Sequence, residues 1–149
     1  MRAVLQRVKS AQVEIGDRVI GKIGHGMVLF LGIGREDTHR DADYLVDKSV
    51  NLRIFEDKEG KLNLSLLDLG KEILVVSQFT LMADSRQGRR PSFIAAEEPL
   101  RAKNLYLYVI QKLKEQGISV ATGEFQTCMD VNLVNQGPVT MLLDSKKVF

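Results

Sequence analysis

Residues 1–33 read MRAVLQRVKSAQVEIGDRVIGKIGHGMVLFLGI, and their spacing decides the fold. Val4, Val8, Val13, Ile15, Val19 and Ile23 are apolar points in short, strand-like segments. Gly16-Asp17 separates Val13-Glu14-Ile15 from Arg18-Val19-Ile20 and predicts a tight hairpin. Met27 to Leu31 is an uninterrupted apolar run between Gly26 and Gly32, the pattern of a strand covered on both faces.

Downstream of this stretch, Thr38-His39-Arg40-Asp41 fits a capping box with Asp in place of Glu or Gln. Ala42, Leu45, Val46, Ser49 and Val50 then follow helical spacing, which predicts a helix over 39–52. Asp57-Lys58-Glu59-Gly60 reads as a turn, and Ile73 to Val76 as a strand that ends in Ser77-Gln78-Phe79-Thr80. A second helix is predicted from Pro99, suited to a first turn, to Gly117. Its stripe is Ala102, Leu105, Tyr106, Val109, Ile110 and Leu113. Two strands, Met129–Val134 and Val139–Leu143, are predicted to close the chain with a sharp connection at Asn135–Pro138. Strands gather at both ends and consecutive βα alternation is absent, which disfavours a doubly wound parallel sheet. The expectation is a single α+β domain over 1–149, mainly antiparallel, with two principal helices on one side of a curved, barrel-like sheet.

Composition narrows the function classes. At 149 residues, 44% hydrophobic and 27% charged, the chain suits one soluble globular domain. Lys plus Arg (21) nearly balances Asp plus Glu (19), which argues against a histone-like protein but leaves room for a local basic site. Cys128 has no partner for a disulfide, and no Cys/His spacing suggests zinc. No metal or cofactor is expected. Met1–Arg7 lacks a secretory apolar core and no apolar run approaches a membrane span, so a cytoplasmic location and no membrane contact are expected.

Catalytic signatures such as Gly-x-Ser-x-Gly, the P-loop and His-Glu-x-x-His are missing. His25, in Gly-His-Gly, and His39, in a first helical turn, read as turn and cap residues before they read as bases. Cys128 reads as a small buried hydrophobe. Three segments stand out. In Ser77-Gln78-Phe79-Thr80-Leu81 an apolar strand gives way to hydroxyls, an amide and an aromatic, which either offers donors to a ligand or frays into a loop. Asn135-Gln136-Gly137-Pro138-Val139-Thr140 holds an X-Pro bond, for which the cis isomer lies only about 0.5–1 kcal/mol above trans. Ser85-Arg86-Gln87-Gly88-Arg89-Arg90-Pro91 is either a solvated basic loop or a tracker of phosphates, a field to which Arg2, Arg7 and Lys9 would add if the first strand lies adjacent.

Together these segments resemble the D-aminoacyl-tRNA deacylase family. The resemblance rests on Met-Arg-Ala-Val-Leu-Gln-Arg-Val at 1–8, Ser77–Leu81, Arg90-Pro91-Ser92-Phe93 and Asn135–Thr140, in family order over residues 1–145. Gln136 stands where the family usually has an acidic residue, and Met82 where an aromatic is common. What the resemblance implies is a homodimer with active sites at the subunit interface and aminoacyl-tRNA as partner. The implied reaction is hydrolysis of the ester of D-aminoacyl-tRNA, and of glycine mischarged on alanine tRNA. It also implies a catalytic set of Ser77, Gln78, Phe79 and Thr80. A cis Gly137-Pro138 pair lent by the other subunit would exclude L-amino acids. Substrate contacts are expected from Phe79, stacked on the terminal adenine, and from Met129, Arg7 and Arg86.

For the implied reaction the ester is already activated, so what remains is to stabilise the oxyanion. Backbone N–H groups at Phe79 and Thr80 are the candidates, with the tRNA ribose hydroxyl helping to organise the water. This would also explain the absence of a convincing base. Two rivals stay open: a tRNA-binding module without catalysis, and a Thr80-dependent esterase of small molecules. A purely structural dimer module is a third. The first is set back by the lack of the paired aromatics of common single-strand readers.

Overall fold

A computed structural model describes residues 1–148. Strands β1 (Arg2–Ile15) and β2 (Arg18–Ile23) form the hairpin expected at Gly16-Asp17, and β3 (Gly26–Gly32) returns along the first half of β1. Helix α1 (His39–Asn51), the short strands β4 (Phe55–Glu56) and β5 (Leu62–Leu64), and a single turn α2 (Leu66–Leu69) lead to β6 (Glu72–Ser77). A 3-10 turn over Phe79–Met82 follows, then α3 (Pro99–Glu115), β7 (Ser119–Thr122) and β8 (Asp130–Asp144).

The main sheet runs β2-β1-β3-β6-β7, with β8 on the other edge of β1. It curls until β2 approaches β7 so closely that a Cβ on Gly21 would lie 2.3 Å from the Thr122 carbonyl oxygen. The result is an α+β domain around a nearly closed barrel-like sheet. That sheet is mixed, because β3, β6 and β7 run parallel through two crossovers. β7 is a four-residue strand without alternation, so the second crossover left no pattern to read.

Alternation across β3 and β6 divides the core. Met27, Leu29, Leu31, Ile73 and Val75 face α1 and α3, while Val28, Leu74 and Val76 fill the barrel with Val8, Val13 and Ile23. Both faces are therefore covered, as the apolar run at 27–31 requires. Tyr106 on α3 donates to the Val75 carbonyl (2.9 Å), and burial pushes its hydroxyl up to about 12.

The last strand differs from its expectation. Asn135–Pro138 does not turn the chain, because both halves of β8 pair antiparallel with the same strand, β1. Gln6 faces Thr140 and Val8 faces Asn135, so two steps on β1 oppose five on β8 and three extra residues are thrown out as a bulge at Gly137-Pro138. The Gly137–Pro138 peptide is cis.

The start of α1 is tied to the end of the chain. Asp41 reaches back to the Thr38 N–H (2.8 Å) and also meets Ser145 Oγ (2.7 Å) and Lys146 Nζ (2.9 Å). Burial opposes ionisation of Asp41, but the bonds from Lys146, Ser145 and Thr38 outweigh it and hold the carboxyl well below the usual range. A depressed carboxyl stabilises the fold above the unfolded value of about 3.9 and loses that contribution as pH falls below it. Asp41→Asn is expected to lower the unfolding free energy by about 1–3 kcal/mol at pH 7. The gap to the parent should close on acidification below about pH 4; denaturant titrations at several pH values measure both.

Candidate active site

The strand β6 ends at the level of Leu31, and Gln78 donates its N–H to the Leu31 carbonyl (2.8 Å) before the chain tightens. The turn sits directly on β3, where a Cβ on Gly32 would come within 2.8 Å of Leu81 Cβ and 3.0 Å of the Gln78 carbonyl oxygen. Glycine at 32 is thus what lets the turn approach. Arg2 fixes its far side, donating Nη1 to the Leu81 carbonyl (3.1 Å) while Nε meets Asp144 (3.2 Å).

Leu81 is the first amide to close the turn, onto the Gln78 carbonyl (3.2 Å), so the N–H groups of Phe79 and Thr80 precede any partner within it. Gln78 Nε2 donates to Thr80 Oγ1, which leaves the hydroxyl proton of Thr80 free to point elsewhere.

Beside the turn opens a cavity of about 640 Å3. Ser77, Gln78 and Phe79 form one wall, Phe125 to Met129 another, and Glu97, Pro99 and Ala102 at the start of α3 a third. Its floor is apolar, from Leu31, Ile33, Val76 and Val131. Of the expected site residues, Ser77, Gln78, Phe79 and Met129 line this cavity, with Thr80 next along the turn. Gly123 leaves space for Met129, since a Cβ there would lie 2.7 Å from its sulfur.

Four expected residues lie elsewhere. Gly137 and Pro138 do not line the cavity. Along the sheet Asn135 is level with Val8 and Gly26, whereas Ser77 is level with Leu31, five residues or about 17 Å further on. Arg7 is buried beside the bulge and donates to the carbonyls of Gln136 (3.1 Å) and Ile54 (2.8 Å). Arg86 lies on the exposed loop after the turn, where Asp84 grips its fork at 2.9 and 2.6 Å. Asp84 and Ser92 exchange backbone hydrogen bonds (2.8 Å each) and close the base of that arginine loop.

Two readings of the sequence are corrected. Cys128 is exposed and lines the cavity, because 123–129 is an irregular approach to β8 and not part of a buried strand. Phe79 does have an aromatic companion, for Phe93 lies with its ring centroid 5.0 Å away. Thirteen residues, the arginine loop among them, separate the two in sequence, so only the Arg90–Phe93 block hinted at it. Glu97 also lines the cavity without a sequence signal, for nothing in its spacing marks a residue whose side chain is 6% exposed and lies 3.2 Å from Arg101.

Neither histidine lines the cavity: His25 meets Phe55 edge-on at 5.7 Å, and His39 lies against Tyr108 at 4.3 Å. Burial, then the charge of Lys71, holds His25 below its ordinary value. Among the described residues no three His, Cys, Asp or Glu side chains gather as metal ligands would, and no helix is long and apolar enough to cross a membrane.

Residues 4–144 match the family model described as D-Tyr-tRNA(Tyr) deacylase. The chain is 58% identical to a D-aminoacyl-tRNA deacylase of Thermosipho melanesiensis and 56% identical to one of Syntrophus aciditrophicus, each covered in full on both sides. Among solved structures it superposes on a protein titled c-Myc DNA Unwinding Element Binding Protein with a TM-score of 0.91 and 38% identity, over 97% of this chain and 98% of that one. A probable eukaryotic D-amino acid tRNA deacylase shares the fold, with a TM-score of 0.82 at 17% identity, over 95% and 97% of the two chains.

Proposed function

The chain belongs to the D-Tyr-tRNA(Tyr) deacylase family, and from that premise we propose that it hydrolyses the ester between a D-amino acid and the terminal adenosine of tRNA. The observation that carries this reading is the exposed Phe79 beside two backbone amides that have no acceptor among the described residues, at the mouth of a cavity of about 640 Å3. A nucleoside falls within the range of ligands that such cavities hold, roughly 300–1,000 Å3. The adenine stacks on Phe79 with Met129 at its border, and the ester carbonyl reaches the amides of Phe79 and Thr80.

The ester is already activated, so the protein needs chiefly to stabilise the oxyanion that forms as water attacks. Fixed amides suit that task; losing one such donor costs about 2.7–4 kcal/mol in comparable sites. The ribose 2′-hydroxyl helps to order the water. Thr80→Ala is expected to keep its rate within roughly tenfold of the parent, whereas an essential nucleophile would forfeit nearly all turnover. Single-turnover deacylation of charged tRNA tells the two apart.

The Gly137–Pro138 bulge of a second copy supplies the chiral wall. Its distance from its own cavity supports delivery between subunits, as does the long free edge of β8 with Val134, Met141 and Leu142 exposed. Carbonyls on one face of the α-carbon exclude an L side chain and ignore what a D side chain carries. Glycine, which has none, is hydrolysed too. Arg86, Arg89 and Arg90 follow the acceptor-stem phosphates, and the reaction takes place in the cytoplasm. The test is deacylation of matched D- and L-tyrosyl-tRNA with chelator present: selective release of D-tyrosine is expected, and equal or absent release would overturn the proposal.

A second reading has support from the Phe79–Phe93 pair, which resembles the stacking platforms of single-strand binders. Salt-sensitive binding of tRNA with the ester left intact would favour it.

A further inference from the structure

Building on the chiral wall proposed above, we infer that Glu56 is a positioning residue for the Gly137–Pro138 bulge, acting through Arg7. The side chain of Arg7 is 5% exposed, so its guanidinium takes its partners from the protein rather than from water. Nε donates to the carbonyl of Gln136, the residue that leads into the bulge (3.1 Å). Nη1 donates to the Ile54 carbonyl (2.8 Å), and Nη2 to Glu56 Oε1 (3.2 Å). That same Nη2 would stand 2.9 Å from a Cβ on Gly137, so it touches the first residue of the wall.

A guanidinium is a rigid plane with donors in fixed directions. The Gln136 and Ile54 carbonyls define a line about which that plane can rock; the third acceptor, on Glu56, fixes its tilt. Glu56 is also the carboxylate that this buried cation meets, since Gln136 beside it is neutral. Loss of Glu56 leaves Nη2 without an acceptor against Gly137, and the backbone there follows the guanidinium. Because the Glu56 side chain is itself 55% exposed, its removal opens no void in the core.

The experiment compares Glu56→Ala, Glu56→Gln and Gly137→Ala with the parent, reading the ratio of kcat/KM for D- over L-tyrosyl-tRNA and the thermal midpoint of each. Glu56→Ala is expected to lower the ratio about three- to tenfold. Glu56→Gln, which keeps an acceptor oxygen at the same reach, should stay within roughly twofold, and both midpoints within about 2 °C of the parent. A ratio preserved in Glu56→Ala but lost in Gly137→Ala would overturn the role of Glu56 and leave the wall standing. Preservation in both would remove the wall itself, and this role with it. A loss shared by Glu56→Gln and matched by a fall in midpoint would mark a merely structural contact.

Discussion

Replacing Phe79 with alanine is expected to lower kcat/KM on D-tyrosyl-tRNA by roughly 5- to 150-fold, the equivalent of about 1–3 kcal/mol of base stacking. Phe79 is 57% exposed and borders the cavity, so little core packing is lost with its ring. Phe93 supports it from the side, and the turn that carries it is clamped by Arg2 and by the fit of Leu81 against Gly32. Removal of the ring therefore takes away a surface for the base without displacing the amides of residues 79 and 80. The expected signature is a raised KM with a smaller change in kcat, since an adenine stacked on this ring would be held in ground state and transition state alike. Phe79→Leu should fall between, keeping contact area but no π face. Steady-state deacylation with thermal melts of each variant checks the prediction; an unchanged KM in Phe79→Ala would place the adenine elsewhere.

Gly137→Ala is expected to have its largest effect on selectivity. The residue sits at φ +123°, which side chains rarely adopt, and its new methyl would meet Arg7 Nη2 and Val139 Cγ2, each at 2.9 Å. Neither neighbour yields freely, because Arg7 is held by three acceptors and Val139 donates its N–H to Asn135 Oδ1 (2.9 Å). The bulge must shift instead. An overpacked site of this kind costs about 1–3 kcal/mol. If that energy falls on the wall alone, the D-over-L ratio drops roughly 5- to 150-fold. The change should come from a gain of L-tyrosyl-tRNA hydrolysis rather than a loss of the D reaction, for the amides proposed to serve the ester lie on another part of the chain. Parallel assays of the two enantiomers decide it, and an unaltered ratio would show that the bulge does not face the substrate.

Much of this molecule is readable residue by residue because local chemistry sets it. The apolar run at 27–31 belongs to a strand covered on both faces whatever lies beyond, and the spacing from Ala42 to Val50 and the stripe from Ala102 to Leu113 mark helices by period alone. The abrupt change from Val76 to Ser77 already placed a polar strand end, and that end became the cavity wall. Other features depend on contacts between distant segments. Phe93 joins Phe79 only when the Asp84–Ser92 pair folds the arginine loop back, and Cys128 turns outward because the barrel, not its neighbours in sequence, sets the path into β8. Asn135–Pro138 carries the composition of a turn, yet pairing of both flanks with β1 makes it a bulge. Local propensities act over a few residues, so they fixed the elements. Register, crossovers and the burial of Arg7 are settled by whichever pairing hides the most apolar surface, and that sum is taken over the whole chain.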